Sequence, residues 1–445
     1  MGSGRAFGAI NYLLIAGGLT GLNKIPEVEE QLLEDAGLDR KLRPVNSGAC
    51  LLKAPMRCVL ADKSSVRVGE EIKPWQLGYG TALGPQVKIA IARALYAAGY
   101  FISLQDAINA FNALCRQAML DAVDEIWPEA TRIFNKIYGV AAPVFYVHEG
   151  SDGTTQIRVT RSEQGARMGC VIGGFAFNVA MHVHVYRKMH DVFPTLFFRV
   201  LTDDKTDFGR PKAAEGPATE PTGEEWQAQY RMLADSLRVY DTLANPINIF
   251  RHNGKGILVL PPNAPDPSSD SGLLELTTCT RGAARVAGGH VGAHEGMVEM
   301  GCKLARTIIT KIQAIGRFGL TNAQAAVKIL KYSSKALEYY YGVTPTTISK
   351  TVVAMVQGAL QRTIDSVLTP EDLRAPRMHV VRHTRAHTIM SLTSRMGGGH
   401  YGTEHPGRVR SAPGPNGGGD VRLSQEGHQD RLRPLLRTVW GQDEE

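Results

Sequence analysis

The sequence predicts an α+β fold, and three observations predict it. Short apolar runs at 100–104, 194–201 and 256–260 have the length and the flanking turns of buried strands. Longer stretches of helical spacing lie between them, as in 85–98 and 225–244. From 296 to 368 the helical pattern takes over altogether.

The bulk composition sets outer bounds. The 445 residues are 43% hydrophobic and 21% charged, which fits one large multi-lobed domain or two to three ordinary ones. Lys plus Arg number 50 against 43 Asp plus Glu, a net charge of +7. That mild basic bias suits a nucleic-acid partner and is shared by many ordinary enzymes. The six cysteines, Cys50, Cys58, Cys115, Cys170, Cys279 and Cys302, form no CxxC pair. They imply a reducing, intracellular compartment rather than a disulfide scaffold. Arg5 precedes an apolar run at 6–22, but Asn11 and several glycines interrupt it, so a buried strand or helix is expected there rather than a signal peptide. No other segment approaches the ~20 uninterrupted apolar residues of a membrane helix.

Taken in order, residues 1–90 mix short apolar runs with turns, and a helix is expected over 85–98. The strand at 100–104 ends at Gln105-Asp106, and helical spacing then runs from Ala107 to Trp127, closed by Pro128. A hairpin is expected from 144–147 and 155–159 around Gly150-Ser-Asp-Gly153. The glycine-rich turn at 165–174 leads into a helix over 175–190. The strand at 194–201 ends at Asp203-Asp204, with 206–208 as its return. A Pro- and Gly-rich loop at 209–224, a helix at 225–244 and a strand at 256–260 follow. The helix expected over 323–341 carries Lys328, Lys331 and Lys335 on one face. The Gly-, Pro- and Arg-rich tail from 403 is expected to be disordered.

The chemistry rests on carboxylates. An Asp-Asp pair alone is ordinarily a solvated turn. Here it follows a strongly apolar strand and precedes a return strand, so a hairpin would carry Asp203 and Asp204 at its tip. Asp106 ends a second apolar strand. If the two strands are sheet neighbours, three carboxylates converge, and converging carboxylates repel unless a divalent metal is present. Two Mg²⁺ ions held there can activate a hydroxyl and stabilise a leaving pyrophosphate. His182, His184 and His190 fall on an expected helix without ligand partners and read as packed or surface residues rather than a metal site. His379, His383 and His387 recur among Arg377, Arg382 and Arg385, a basic face that meets phosphates or stays solvated.

The ordered motifs resemble those of non-LTR retrotransposon reverse transcriptases. Phe101-Ile-Ser-Leu-Gln-Asp-Ala-Ile-Asn-Ala-Phe-Asn112 is similar to that family's first palm motif. Gln164-Gly-Ala-Arg-Met-Gly-Cys-Val-Ile-Gly-Gly-Phe-Ala-Phe177 is similar to its second, and Leu201-Thr-Asp-Asp204 stands where the family has an aromatic-x-D-D box. Leu42-Arg-Pro-Val45 and Pro74-Trp-Gln-Leu-Gly-Tyr-Gly80 resemble fingers segments. Asn253-Gly-Lys255, followed by Ile257-Leu-Val-Leu-Pro261, resembles the motif with a lysine before a strand. Val286-Ala-Gly-Gly-His-Val-Gly292 resembles the primer grip, while 323–341 and Ser394-Arg-Met-Gly-Gly-Gly399 fit the thumb and a segment after it. The likeness spans about 19–402.

The resemblance implies a right-hand polymerase. Its fingers would lie in 1–98, its palm, an antiparallel sheet on helices, in 99–272, its primer grip and thumb in 273–402, and its tail in 403–445. It implies RNA-directed DNA synthesis with two Mg²⁺ ions, or Mn²⁺ in their place, on an RNA template with a DNA primer and deoxynucleoside triphosphates, acting in the nucleus without a membrane. Asp106 and Asp203 would be metal ligands, with Asp204 in support. Phe111 would be the steric gate against a 2′-hydroxyl. Arg43, assisted by Lys24, would grip the triphosphate. Lys255 would protonate or steady pyrophosphate. Gly165 and Gly169 would let backbone approach template and nucleotide.

Each role has a plain structural alternative: Phe111 as core, Lys255 as a solvated turn lysine, Arg43 as a surface residue, the glycines as a tight turn. The pattern also departs from the family. Met168 replaces a glutamine, Leu201 an aromatic, and Thr202 is polar where Ala or Leu is usual. A decayed copy that only binds nucleic acid is one rival, favoured by Met168 and Leu201. An RNA-dependent RNA polymerase is another, opposed by Phe111.

Overall fold

The computed structural model describes residues 16–23, 42–48, 50–149, 154–211, 220–252, 254–319, 339–340 and 342–367. All belong to one compact unit, Met1–Ile389; a second unit, Met390–Glu445, lies outside the described residues. So do the tail at 403–445, His379, His383, His387, and the lysine face at 328–335.

The strands in chain order begin with β1 (Gly17–Asn23), β2 (Leu42–Gly48), β3 (Phe101–Gln105), β4 (Ala142–Glu149), β5 (Thr155–Ser162) and β6 (Phe197–Leu201). They continue with β7 (Asp204–Gly209), β8 (Ile257–Val259), β9 (Thr278–Thr280), β10 (Ala283–Val286) and β11 (Gly289–Gly292). A five-stranded sheet has the order β6-β7-β3-β8-β9. Its first four strands are antiparallel, as expected, and β9 joins β8 in parallel. A second sheet, β2-β1-β4-β5, contains the expected hairpin as its β4–β5 edge, and β10–β11 form a separate ribbon.

The central strand β3 is Phe-Ile-Ser-Leu-Gln, buried at every position but the half-buried Leu104. Such a run gains most when both faces are covered. Phe101 and Leu258 pack with Trp226, Tyr230, Leu233 and Leu237 of the Gly223–Ala244 helix. That helix opens with a capping box in which Thr222 and Glu225 satisfy each other's backbone N–H groups. Phe198 and Val200 of β6 join a larger core built on Phe175, Phe177, Val185 and Tyr186 of the helical segment that precedes it and on Met119, Leu120 and Val123 of the Arg116–Ile126 helix. The helix expected over 175–190 is present as Gly173–Met181 and Arg187–Val192 joined by a π turn, His182–Tyr186. Its histidines are packed: Trp75 lies against the rings of His182 and His190, and His184 Nε2 bonds the Ala118 carbonyl at 2.9 Å.

One expected helix is broken. The spacing over 107–127 reads as continuous, but the chain forms Ala110–Ala113 and Arg116–Ile126 with extended backbone at Leu114 and Cys115. The break has a tertiary cause. The Leu114 carbonyl accepts from Gly165 N, and Cys115 N donates to the Ile247 carbonyl, both at 2.9 Å. Bonds to distant segments replace the i→i−4 ladder there.

Candidate active site

Sheet register brings the carboxylates together. Leu201 pairs with Asp204 across the β6–β7 hairpin, which leaves Thr202 and Asp203 at its tip. In the adjoining pair Gln105 faces Lys205, so the next residues outward, Asp106 and Asp204, stand side by side at one end of the sheet. On the other flank of β3, Leu104 faces Ile257, and two residues further outward Lys255 comes beside Asp106. Lys255 Nζ lies 2.9 Å from Asp106 Oδ2. The Asp106 backbone is fixed as well, its carbonyl accepting from His252 N at 2.8 Å.

Asp106, Asp204 and Lys255 line a cleft of about 470 Å³. Val286 and Ala287, from the segment likened to a primer grip, border the same cleft. They lie at the β10–β11 turn, where Ala287 and Gly288 both have positive φ. Three cations not singled out in the sequence also line it, the exposed Arg285 and the buried Lys88 and Lys205. Lys88 Nζ donates to the Asp204 carbonyl at 2.5 Å. A signal for it was present: Lys88, Ile91, Ala92 and Leu95 follow i, i+3, i+4, i+7, so the lysine lies on the buried stripe of the Gly84–Ala97 helix.

The electrostatics are those of crowded anions. Burial, then the Asp204 charge, pushes the Asp203 carboxyl up to about 6, and Asp106 adds to the effect. Burial also raises Asp204, against the opposing pull of Lys88. Burial lowers the Lys88 ammonium to about 8, although Asp204, Asp203 and Asp207 all hold it up. Among the described residues, no three His, Cys, Asp or Glu side chains close on one point as a preformed metal cage. The donor chemistry still fits a hard cation. Asp106 and Asp204 share an open cleft that Asp203 does not line, the three carboxylates destabilise one another's charges, and the cleft leaves room for water ligands. The Lys255–Asp106 ion pair is the contact such an ion competes with.

The other sequence-singled residues divide. Phe111 is half-buried, its ring stacked on Phe177 at 4.6 Å, and it is absent from the cleft lining. Gly165 has φ +70°, and a Cβ there would stand 2.4 Å from Asn112 backbone, so the second motif packs directly on the segment that carries Phe111. Gly169 also has positive φ, and Met168 Sδ receives the Asn112 side-chain amide at 3.8 Å. Gly165 and Met168 thus pack on the segment that carries Phe111. Arg43 stands on β2 opposite Leu22, and Lys24 lies outside the described residues. No helix among the described residues is long and apolar enough to cross a membrane.

No protein-family model matches the chain. The retrotransposable element SLACS 132 kDa protein of Trypanosoma brucei gambiense is 28% identical over 156 residues, covering 33% of this chain. The match spans only 13% of that protein's length. The resemblance to retrotransposon proteins thus appears in an alignment as well as in the motifs. Among solved structures, apo telomerase from Candida tropicalis is 10% identical, covering 86% of this chain and 68% of its own, with a TM-score of 0.40. The Candida tropicalis telomerase in complex with a TWJ fragment of telomeric RNA is 10% identical, covering 96% of this chain and 64% of its own, with a TM-score of 0.38.

Proposed function

We propose that this chain is the polymerase core of a retrotransposon-type reverse transcriptase, an RNA-directed DNA polymerase. The observation that carries the proposal is the register that sets Asp106 beside Asp204 and Lys255 at one sheet end, with Asp203 at the adjoining turn. In this reading the five-stranded sheet is the palm, with β3, β6, β7 and β8 inside 99–272 and the edge strand β9 just beyond it. The segments before 99 are the fingers, and 273–402 hold primer grip and thumb.

Asp106 and Asp203 would hold two Mg²⁺ ions, or Mn²⁺ in their place, with Asp204 in support. Bound there, such ions would supply acidification of a primer 3′-hydroxyl and neutralisation of charge on the leaving pyrophosphate. The chain's own residues do the remaining work. Lys255 steadies or protonates pyrophosphate once its ion pair with Asp106 opens, a reading supported by its closeness to that carboxylate. Phe111 excludes a 2′-hydroxyl, its ring held by Phe177. Arg43 and Lys24 grip the triphosphate, and Arg285 adds a cation on the cleft wall. The partners are an RNA template, a DNA primer and deoxynucleoside triphosphates, and the site of action is the nucleus.

Extension of a DNA primer on an RNA template with Mg²⁺, comparing the native chain with Asp203→Asn, tests the proposal. Deoxynucleotide addition that vanishes in the variant is expected. Ribonucleotide addition instead would make it an RNA-dependent RNA polymerase. Primer–template binding without extension would make it a catalytically decayed remnant, the reading that Met168 and Leu201 favour.

A further inference from the structure

The segment Pro74–Gly80 resembles a fingers motif, yet its buried glutamine serves the opposite end of the site. Gln76 is fully buried. Its Oε1 accepts from Thr202 N and from Gly78 N, each at 2.8 Å, and its Nε2 donates to the Thr202 carbonyl at 3.3 Å. Both ends of one amide therefore bond the backbone of the hairpin-tip residue. Thr202 has φ +63°, a conformation that β-branched residues rarely adopt. The backbone around Gln76 is laid along β6, with Leu77 N donating to the Val200 carbonyl and Val200 N to the Trp75 carbonyl, both at 2.8 Å. Lys88, on the helix that follows, is 1% exposed and holds the carbonyl of Asp204. Two buried polar side chains from one stretch thus grip the residues on either side of Asp203. Interior amide and ammonium groups are costly to desolvate and repay that cost by fixing the groups they bond.

We propose that Gln76 and Lys88 form a clamp that sets the Thr202–Asp204 turn, and with it the placement of Asp203 and Asp204 relative to Asp106, in the arrangement that receives divalent ions. The inference rests on the metal-ligand reading above and adds what holds the ligands in place. Both are positioning residues, since their hydrogen bonds go to the turn's backbone. The β6–β7 ladder, from Phe197↔Phe208 to Leu201↔Asp204, does not depend on them. Release of the clamp therefore loosens the tip while the sheet persists, and a loosened ligand set binds metal more weakly.

The test uses the full chain and Mn²⁺ alone as the probe, read by electron paramagnetic resonance. Metal-free primer–template binding and thermal melting are measured in parallel. Gln76→Leu removes the amide bonds. Gly78→Ala is the second variant. Gly78 is exposed, and a methyl there would stand 2.5 Å from Thr202 Oγ1 and 2.9 Å from both Gln76 Oε1 and Thr202 N. It wedges the clamp without emptying the core, and it decides the matter if Gln76→Leu does not fold. Both variants are expected to melt cooperatively, bind primer–template like the native chain, and bind Mn²⁺ about tenfold more weakly or worse. Native Mn²⁺ affinity in a folded variant overturns the clamp. Parallel loss of primer–template binding also overturns it, because that marks general damage. Asp203→Asn separates the two readings. If the native chain binds Mn²⁺ no better than Asp203→Asn, the metal reading falls and the clamp with it. If it binds better while Gly78→Ala matches the native chain, the clamp alone falls.

Discussion

Replacing Lys205 by Met leaves the buried Asp207 carboxyl group without its partner inside the strand that carries Asp204. Lys205 and Asp207 lie two residues apart on β7, so they share one face. Their side chains are 1% and 0% exposed, and Lys205 Nζ donates to Asp207 Oδ1. The ammonium also lies 5.5 Å from the Phe198 ring centroid and 5.7 Å from that of Tyr240. Burial pushes Lys205 below its ordinary value, and the Asp207 charge resists that shift. Asp207 Oδ2 is buried with no hydrogen-bond partner, so the pair repays its desolvation only in part. Breaking such a pair from one side costs about 3–5 kcal/mol, whereas replacing both members by apolar groups is often neutral. Against a total stability of roughly 5–15 kcal/mol, either single loss is severe. Lys205→Met and Asp207→Leu are each expected to lose about 3–5 kcal/mol in urea unfolding followed by far-UV circular dichroism, and the double variant to regain most of it. Single losses below about 1 kcal/mol, or a double variant as unstable as the two singles combined, would refute the argument.

Two further outcomes follow from the site. The Asp203 carboxyl is held up to about 6 from an ordinary 3.8, so the folded state binds the extra proton. Its contribution to stability is favourable at low pH and is lost as pH rises through that window, the cost being complete above about 6. Divalent ions need the deprotonated form, so the rise in melting temperature on adding Mg²⁺ should be larger at about pH 7.5 than at about pH 5; a rise of equal size at both would count against Asp203 as a ligand. Phe111→Ala should raise ribonucleotide incorporation relative to deoxynucleotide by tenfold or more in primer extension. An unchanged ratio together with lower stability would restrict Phe111 to its stacking on Phe177.

The parts of the fold that were legible in the sequence are those set by local pattern. Strands β3 and β6 fall on apolar runs whose ends are carboxylates, and the return strand β7 begins at Asp204, two residues earlier than expected. Capping and spacing mark the Gly223–Ala244 helix in the same local way. What was not legible depends on partners far along the chain. The break at Leu114 and Cys115 is made by Gly165 and Ile247, and no residue between Ala107 and Trp127 announces it. Nothing local tells β1 to pair in parallel with β4, or β9 to close the sheet beside β8. The carboxylates were found because their positions at strand ends carry chemical meaning. Gln76 was not assigned a role, because its bonds reach 126 residues along the chain. Lys88 occupies a position of a stripe that is otherwise apolar, so its sequence context marks helix packing and not chemistry.

Of the three departures from the pattern, Thr202 is itself the residue that Gln76 grips, whereas Met168 and Leu201 fall on a different set of contacts from those that fix the charges. Met168 meets the chain through Asn112, beside Phe111, and Leu201 packs at the N-terminus of the Gly84–Ala97 helix, near Gly84. The Asp106 backbone is held by His252 and its carboxylate by Lys255, while the turn carrying Asp203 is held through Thr202 and Asp204 by Gln76 and Lys88. A change of side chain at Met168 or Leu201 therefore acts on the packing at Asn112 and at Gly84 without removing any of these bonds that position a carboxylate. Restoring Gln at 168 and an aromatic at 201 should accordingly move primer–template affinity while leaving Mn²⁺ affinity where it is. The clamp variants should do the reverse, and that opposition is what assigns the two sets of residues to separate tasks.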